Sequence, residues 1–154
     1  MKKILFIALV LMVSLFACQS KSPKIEVAED ESIVYFCKDI TPENILKLYE
    51  ALDVDFEGKT AIKLHFGEEG NQNFLNPELL TKLVEKTKGT FVETNVLYVS
   101  KRRFTDSHIA LAKEHGFDFA PIDILDAEGE MELPAEGLKH YDKVKTGNHL
   151  MNYD

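Results

Sequence analysis

Side chains that could perform chemistry are concentrated in residues 63–74, which look like the end of a buried strand followed by a loop. The loop, residues 67–73, carries two glycines, two glutamates and three amide side chains. It is not a phosphate-binding P-loop, because it has no lysine, serine or threonine and its acids would repel a phosphate. A helix signal, Asn76-Pro77, follows. An α/β protein usually keeps its ligand site at such a junction, so we expect a site here.

Two strand-like segments carry polar residues toward their ends. Alternation along a strand places Lys63 and His65 on one face of the first, and Glu93 and Asn95 on one face of the second. If the two strands are neighbours, these four side chains converge below the glycine-containing loop. The alternative is structural: a buried Lys63–Glu93 ion pair, with His65 and Asn95 satisfied by hydrogen bonds.

The polar residues divide by chemistry. His65, Glu68 and Glu93 are predicted to hold a divalent metal or to handle protons, since imidazole and carboxylate are ordinary ligands for such ions. Other side chains are predicted to contact a ligand: Lys63, Asn73, Asn95, Arg102 and His108. Within this set Arg102 would pair with an anionic part of the ligand. The spacing matches no standard metal motif, and solvated surface charge explains the acids and the basic cluster at 101–103 equally well.

The elements that position these residues alternate along the chain. Apolar runs predict strands at residues 33–37, 59–66, 90–99 and 119–125. Helix starts stand at Thr41-Pro42, Asn76-Pro77 and Thr105-Asp106. This order predicts an α/β fold, with a mostly parallel sheet and flanking helices in βαβαβα order. Residues 130–133 and 139–145 are short and polar, and predict a small C-terminal β-hairpin.

The N-terminus has the layout of a secretory signal over residues 1–17, a short basic start followed by an apolar run. Its ending, Leu15-Phe16-Ala17-Cys18, resembles a bacterial lipoprotein lipobox. That resemblance implies cleavage before Cys18 and lipidation of its thiol, so that the lipid attaches the chain to a membrane of the cell envelope. Gln19 after Cys18 favours the outer membrane, if the organism has one. The alternative is an uncleaved N-terminal anchor.

Residues 18–32 are polar and predict a flexible tether, which leaves residues 33–154 as the α/β domain. The chain has 154 residues, and 45% of them are hydrophobic, enough for one domain with a real core. A formal net charge of -8 argues against nucleic acid as a partner. Two cysteines cannot supply the four thiolates of a usual iron–sulfur cluster. Cys37 is expected to be a buried small hydrophobe, with a nucleophile as the alternative.

Four segments together resemble the family called domain of unknown function 362. They are Lys63-Leu-His-Phe-Gly-Glu-Glu-Gly-Asn71, Glu93-Thr-Asn-Val-Leu-Tyr-Val99, Arg102, and the stretch from His108 to Phe117. The resemblance covers residues 33–154 and implies an α/β domain whose role is not settled. Some relatives append a ferredoxin-type module and are linked to redox chemistry. Relatives also continue into a second half, which implies that this chain resembles an N-terminal half.

Three functions are consistent with these residues. The first is a lipid-anchored envelope protein that binds a metal or a small polar ligand, which the site above would hold. The second is an enzyme, either redox-linked through a partner or a metal-assisted hydrolase that needs a second half. The third is a non-catalytic interaction module that completes its sheet with another chain, which includes a homo-oligomer.

Overall fold

The computed structural model describes residues 32–54 and 56–154. The chain divides into two units, Met1–Val34 and Tyr35–Asp154, and the fold is that of the second unit. The predicted signal, residues 1–17, and all but the last residue of the predicted tether, 18–32, lie outside the described residues. The predictions about Cys18 therefore stay predictions.

The first predicted strand is wrong. Residues 33–37 form no strand, and Phe36 is 85% exposed. Cys37 is only partly buried, with a free thiol. A short apolar run becomes a strand only where a sheet edge accepts its backbone and other elements cover its side chains. This run has neither, so its composition alone gives the wrong prediction.

Three short strands form one parallel sheet, in the order β1-β2-β3. They are β1 (Ala61–Lys63), β2 (Thr90–Glu93) and β3 (Ile122–Ile124). The register aligns Ile62 with Phe91, and Phe91 with Ile122, so these side chains share one face. A polar antiparallel hairpin of β4 (Glu130–Pro134) and β5 (Lys143–Gly147) follows. The predicted α/β class, the parallel sheet and the C-terminal hairpin are thus confirmed.

The strands are shorter than the predicted runs, because beyond their ends side-chain carboxylates replace backbone carbonyls as hydrogen-bond acceptors. The backbone N–H of Phe66, past the end of β1, donates to the Glu93 carboxylate at 3.0 Å. The backbone N–H of Asn95, past the end of β2, donates to the Asp126 carboxylate at 2.8 Å. Each strand therefore ends where its backbone N–H donates to a carboxylate oxygen instead of a carbonyl of the neighbouring strand. These carboxylates form the polar edge of the sheet.

Two of the three predicted helical segments begin at the caps that the sequence indicates. The Thr41 hydroxyl accepts from the backbone N–H of Asn44 at 3.2 Å, ahead of α1 (Pro42–Ala51). Asn76 caps a 3-10 turn, Pro77–Leu80, which continues into α2 (Thr81–Thr87). The third helix, α3 (Thr105–Glu114), has no side-chain cap. The helix α2 ends at Lys88, which has a left-handed backbone conformation at φ 54°.

The core lies between the sheet and the helices α2 and α3. Phe66, Phe91 and Phe117 are fully buried and meet edge to face, with ring centroids 5.2 to 5.7 Å apart. Leu80, Ala112 and Ile124 complete the buried cluster. The α1 helix packs against α2 instead of the sheet. Phe66 and Phe91 thereby fix the carboxyl ends of β1 and β2, next to the polar residues that follow.

The other face of the sheet carries the C-terminal segment. A 3-10 turn, Asn148–Asn152, follows β5. The backbone N–H of Asp154 donates to the carbonyl of Lys59 at 3.1 Å, and its carboxylate accepts from the N–H of Lys59 at 2.8 Å. Residues near the end of the chain are thus tied to the start of β1. No helix in the described part of the chain is long and apolar enough to cross a membrane.

Candidate functional site

The guanidinium of Arg102 is the centre of a polar cluster at the carboxyl ends of β1 and β2. Arg102 lies in a 3-10 turn, Lys101–Arg103, whose cap is Ser100. The Ser100 hydroxyl accepts from the backbone N–H of Arg102 at 3.0 Å, which fixes the turn. Arg102 is 4% exposed, and an arginine keeps its charge in proteins. A full positive charge is therefore held almost entirely away from water, where it needs carboxylate partners.

The inner partner of Arg102 is Glu93, the last residue of β2. Its carboxylate accepts from Arg102 Nη2, from the backbone N–H of Phe66 and from His108 Nε2 at 3.1 Å. Burial raises the pKa of Glu93, but His108, the Phe66 amide and Arg102 together lower it below the usual value. His108 is fully buried on the first turns of α3. Glu93 is therefore an ionised, water-excluded anchor for the guanidinium.

The outer partner of Arg102 is Glu68, which belongs to the glycine-containing loop. Its carboxylate accepts from Arg102 Nη1 at 2.5 Å, from the Tyr98 hydroxyl at 2.5 Å and from the Ser100 hydroxyl at 2.6 Å. Burial acts to raise the pKa of Glu68, but hydrogen bonds from Ser100, Tyr98 and Arg102 lower it to about 2. We call these three donors, Arg102, Tyr98 and Ser100, the carboxylate cradle.

His65 lies beside the cradle and is exposed. Its Nδ1 accepts from the backbone N–H of Gly67 at 2.9 Å, and its Nε2 lies 2.8 Å from Arg102 Nη1. A neutral imidazole has only one acceptor nitrogen. The amide of Gly67 and the guanidinium of Arg102 can each only donate, so a neutral imidazole accepts a hydrogen bond from one of them. The tautomer of His65 decides which of the two contacts is that hydrogen bond.

The predicted residues divide into those the structure brings together and those it does not. His65, Glu68, Glu93 and His108 all contact Arg102. Asn73 and Lys63 do not belong to the cluster, since Asn73 is exposed with its backbone N–H turned to Asn71 and Lys63 is exposed on the sheet.

The structural alternative, a buried Lys63–Glu93 ion pair, is wrong. The register aligns Lys63 with Val92, so that Lys63 and Glu93 occupy opposite faces. Asn95 lies beside the cluster without joining it. Its backbone bonds Asp126, and its side-chain amide donates to the Thr105 hydroxyl at 3.1 Å. Asn95 therefore ties β2 to the start of α3.

The predicted metal ligands His65, Glu68 and Glu93 surround the guanidinium instead of an open space. Arg102 already compensates both carboxylates. Across residues 32–54 and 56–154, no group of three or more His, Cys, Asp or Glu side chains is placed to hold a metal ion. A metal at this position would require Arg102 to move. The metal assignment stays a prediction, and the arrangement suits a polar ligand better.

Sequence reasoning missed Tyr98 and Ser100, which complete the carboxylate cradle. One signal was available for Ser100, since a serine directly before a short helical turn is a usual cap. Tyr98 gives no such signal, because its side-chain position depends on the irregular segment after β2. The Glu68 carboxylate raises the pKa of Tyr98, which keeps the phenol a hydrogen-bond donor.

A second polar cluster lies on the opposite face of the sheet and was not predicted. Asp123 of β3 accepts from His149 Nδ1 at 2.8 Å and from the Tyr153 hydroxyl at 2.8 Å. The hydrogen bond to Asp123 raises the pKa of His149. Burial, together with Asp123, raises the pKa of Tyr153 to about 12. These contacts hold the C-terminal segment on the sheet.

Comparison with known families agrees with the resemblance seen in the sequence. The model of the family described as Domain of unknown function (DUF362) matches residues 60–154, more than half of the chain. The chain therefore belongs to the DUF362 family. The match begins at Thr60, so residues 33–59, which the resemblance included, lie outside it. No curated protein and no solved structure matches the chain.

Proposed function

We propose that this DUF362 protein is a lipid-anchored protein of the cell envelope that binds a small polar ligand at the Arg102 cluster. The observation that carries the proposal is the buried guanidinium, 4% exposed, between an inner carboxylate and an outer one. The cluster lies at the carboxyl ends of parallel strands, where open α/β sheets bind their ligands.

The inner and outer halves of the cluster differ in the way expected of a binding site. The Glu93 side chain is 4% exposed, and Glu93 and His108 only hold Arg102 in place. A structural ion pair needs nothing more. The outer half adds His65, Tyr98 and Glu68, which are reached from solvent. Three solvent-facing hydrogen-bonding groups around a fixed cation are what a small polar ligand would contact.

Attachment to the envelope rests on the sequence. The apolar run that ends in Leu15-Phe16-Ala17-Cys18 supports lipidation of Cys18, and residues 18–32 would then separate the domain from the membrane. The acidic composition supports attachment through lipid chains rather than through a basic surface. In this account Cys18 supplies the membrane contact, and the Arg102 cluster supplies the ligand contact.

A thermal-shift screen of the purified chain tests the binding function. Probes are small carboxylic acids, sugars, amino acids, phosphate and the chlorides of divalent metals, each against wild type, Tyr98→Phe and Arg102→Lys. The matched control is Arg103→Lys, because Arg103 is the exposed neighbour of Arg102. We expect a stabilising ligand whose effect falls in Tyr98→Phe and Arg102→Lys but not in Arg103→Lys. The proposal is wrong if every stabilising probe acts equally on all four proteins.

The same screen tests the metal prediction. If a divalent metal is the ligand, His65→Ala should abolish the shift produced by that metal chloride, whereas Tyr98→Phe should change it little. A polar organic ligand should instead lose much of its effect in Tyr98→Phe, since Tyr98 belongs to the carboxylate cradle.

A further inference from the structure

We infer that Glu68 is a built-in ligand that occupies the carboxylate cradle and gives way to the carboxylate group of a small-molecule acid. The inference rests on the proposed function and names its ligand class, a carboxylic acid, and its regulation, competition by Glu68. It requires that the cradle can hold a carboxylate, that Glu68 can leave, and that an incoming carboxylate has something to gain.

The cradle is built for one carboxylate with two oxygens. Glu68 Oε1 accepts from Arg102 Nη1 and from the Tyr98 hydroxyl, and Oε2 accepts from the Ser100 hydroxyl. Each of the three donors also has a contact that does not involve Glu68. The backbone N–H of Arg102 holds the Ser100 oxygen at 3.0 Å, and Arg102 Nη1 lies 3.2 Å from the Tyr98 oxygen. The cradle therefore keeps its shape when another carboxylate replaces that of Glu68.

Glu68 is the carboxylate that can leave. The Glu93 side chain is 4% exposed and also receives the Phe66 amide and His108, whereas the Glu68 side chain is 28% exposed. Glu68 belongs to a loop between Gly67, at φ 91°, and Gly70, at φ 74°. A rotation of the Glu68 side chain alone carries its carboxylate into solvent, where ionised carboxylates are well hydrated.

An incoming carboxylate can reach a side chain that Glu68 does not contact. His65 Nε2 lies 2.8 Å from Arg102 Nη1, and no hydrogen bond joins His65 to Glu68. A free acid is not tethered to the loop, so one of its oxygens can accept from Arg102 and, when the imidazole proton is on Nε2, also from His65 beside it. The acid then makes one charge-assisted hydrogen bond to Arg102 and a further one to His65.

The charges favour a carboxylate over a phosphate. When the carboxylate of an acid replaces that of Glu68, the positive charge of Arg102 still faces two negative charges, that of Glu93 and that of the ligand. A phosphate carries a larger negative charge than a carboxylate. Glu93 opposes that charge, and so does Glu69, which lies on the same loop as Glu68. Glu69 is itself paired with Lys101, at 2.6 Å. The planar, two-oxygen geometry of a carboxylate also matches donors that already hold one.

Acetate is the probe that isolates this step. In Glu68→Ala the cradle has lost its internal occupant, so acetate should bind without competition. Titration calorimetry of wild type, Glu68→Ala and Glu68→Gln with sodium acetate, against sodium chloride at the same ionic strength, measures it. We expect at least about tenfold tighter acetate binding by Glu68→Ala than by wild type. In wild type, only the fraction of molecules in which Glu68 has left the cradle can bind acetate, and this lowers the apparent affinity.

Two controls connect the gain to the cradle. Glu69→Ala removes the neighbouring exposed glutamate and should leave acetate binding at the wild-type level. Adding Tyr98→Phe and Ser100→Ala to Glu68→Ala should remove the gain. Glu68→Gln, which keeps the side-chain shape, shows by circular dichroism whether loss of the charge alone unfolds the chain. The inference is overturned if folded Glu68→Ala binds acetate no better than wild type, or if it gains affinity for sodium phosphate instead of acetate.

The outcome separates this inference from the proposed function. If the ligand screen finds a stabilising sugar that depends on Tyr98 and Arg102, and Glu68→Ala binds acetate no better than wild type, the binding function stands and the competition by Glu68 is wrong. If Glu68→Ala binds acetate but no probe stabilises wild type through Arg102, the cradle is confirmed and the binding function is contradicted.

Discussion

Glu93 and Arg102 form an ion pair from which water is excluded, with both side chains 4% exposed. Glu93 ends the central strand and Arg102 lies in the turn before α3. The pair therefore fastens the sheet to the segment that leads into the next helix. Because neither charge can be hydrated in place, each needs the other as part of its compensation, beside Glu68 on Arg102 and His108 on Glu93.

Removing one member of this pair should be strongly destabilising. For Arg102→Leu we expect a loss of about 3–5 kcal/mol in the free energy of unfolding, because Glu93 is left as a buried charge without its cation. Urea denaturation followed by circular dichroism measures the loss. Arg103→Leu, at the exposed neighbour, should change the free energy of unfolding by only about 0.5 kcal/mol. Equal losses in the two variants would show that Arg102 is not held as an essential pair.

Glu68 should affect how the free energy of unfolding changes with pH in the acidic range. In the folded chain its pKa is lowered from the ordinary value of 4.5 to about 2. A carboxyl group whose pKa is lowered by folding stabilises the fold at pH values above its pKa in the unfolded chain. That contribution is lost as the pH falls from 4.5 toward 2. Glu68→Gln should therefore lose stability more gently than wild type over this range. Urea midpoints at a series of pH values measure the slope, and parallel slopes would contradict the prediction.

His149 should give a stability change on the alkaline side. Its folded pKa is raised above 6.5 by the hydrogen bond with Asp123. A raised pKa stabilises the fold fully below pH 6.5, and the contribution is lost as the pH rises through the folded pKa. His149→Gln should remove this decline, whereas His140→Gln, at an exposed histidine, should retain it. A titration of His149 by nuclear magnetic resonance checks the direction of its pKa shift.

Two glycines of the loop should respond differently to alanine. A Cβ at Gly67 would lie 2.6 Å from Phe74 and 2.9 Å from His115, and at Gly70 it would meet nothing within 4 Å. Both have positive φ, which costs an alanine about 1–2 kcal/mol. Gly67→Ala should add a packing penalty of about 1–3 kcal/mol, because Phe74 and His115 must shift. Thermal unfolding of the two variants gives the comparison, and Gly70→Ala is the control for backbone strain.

We predict that Cys18 carries lipid when the chain is expressed in a bacterial host. Cys18→Ser should abolish incorporation of a labelled fatty acid and move the chain from the membrane fraction to the soluble one. Cys37→Ser should do neither, since Cys37 lies in the domain with a free thiol. Equal labelling of wild type and Cys18→Ser would rule out lipidation at Cys18.

The fold was predicted well where local signals and burial agree. Thr41-Pro42 and Asn76-Pro77 begin helical segments because hydroxyl or amide caps followed by proline act through a few adjacent residues. Residues 33–37 have the same kind of composition as a buried strand, but they form none. Whether an apolar run pairs depends on a sheet edge that residues far along the chain must provide.

The candidate site was predicted by residue type more than by geometry. His65, Glu68, Glu93, Arg102 and His108 were each singled out, and the structure brings them together. Lys63 was misplaced because the strand register decides the face, and register is not visible in one strand alone. Tyr98 and Ser100 were missed because an irregular segment positions them. Arg102 was expected to pair with an anionic part of a ligand, whereas in the structure it pairs with the carboxylate of Glu68.

The contact between Lys59 and Asp154 has a consequence for how the chain folds. It joins residues 95 positions apart, and it forms at the edge of a sheet whose parallel strands also pair across long stretches of sequence. Closing such distant segments costs chain entropy before any stabilisation is gained. The helices can form early from local signals, whereas the docking of Asp154 on Lys59 should come late. Refolding should therefore be slow for a domain of this size, with protection of the Lys59 and Asp154 amides appearing in its last phase.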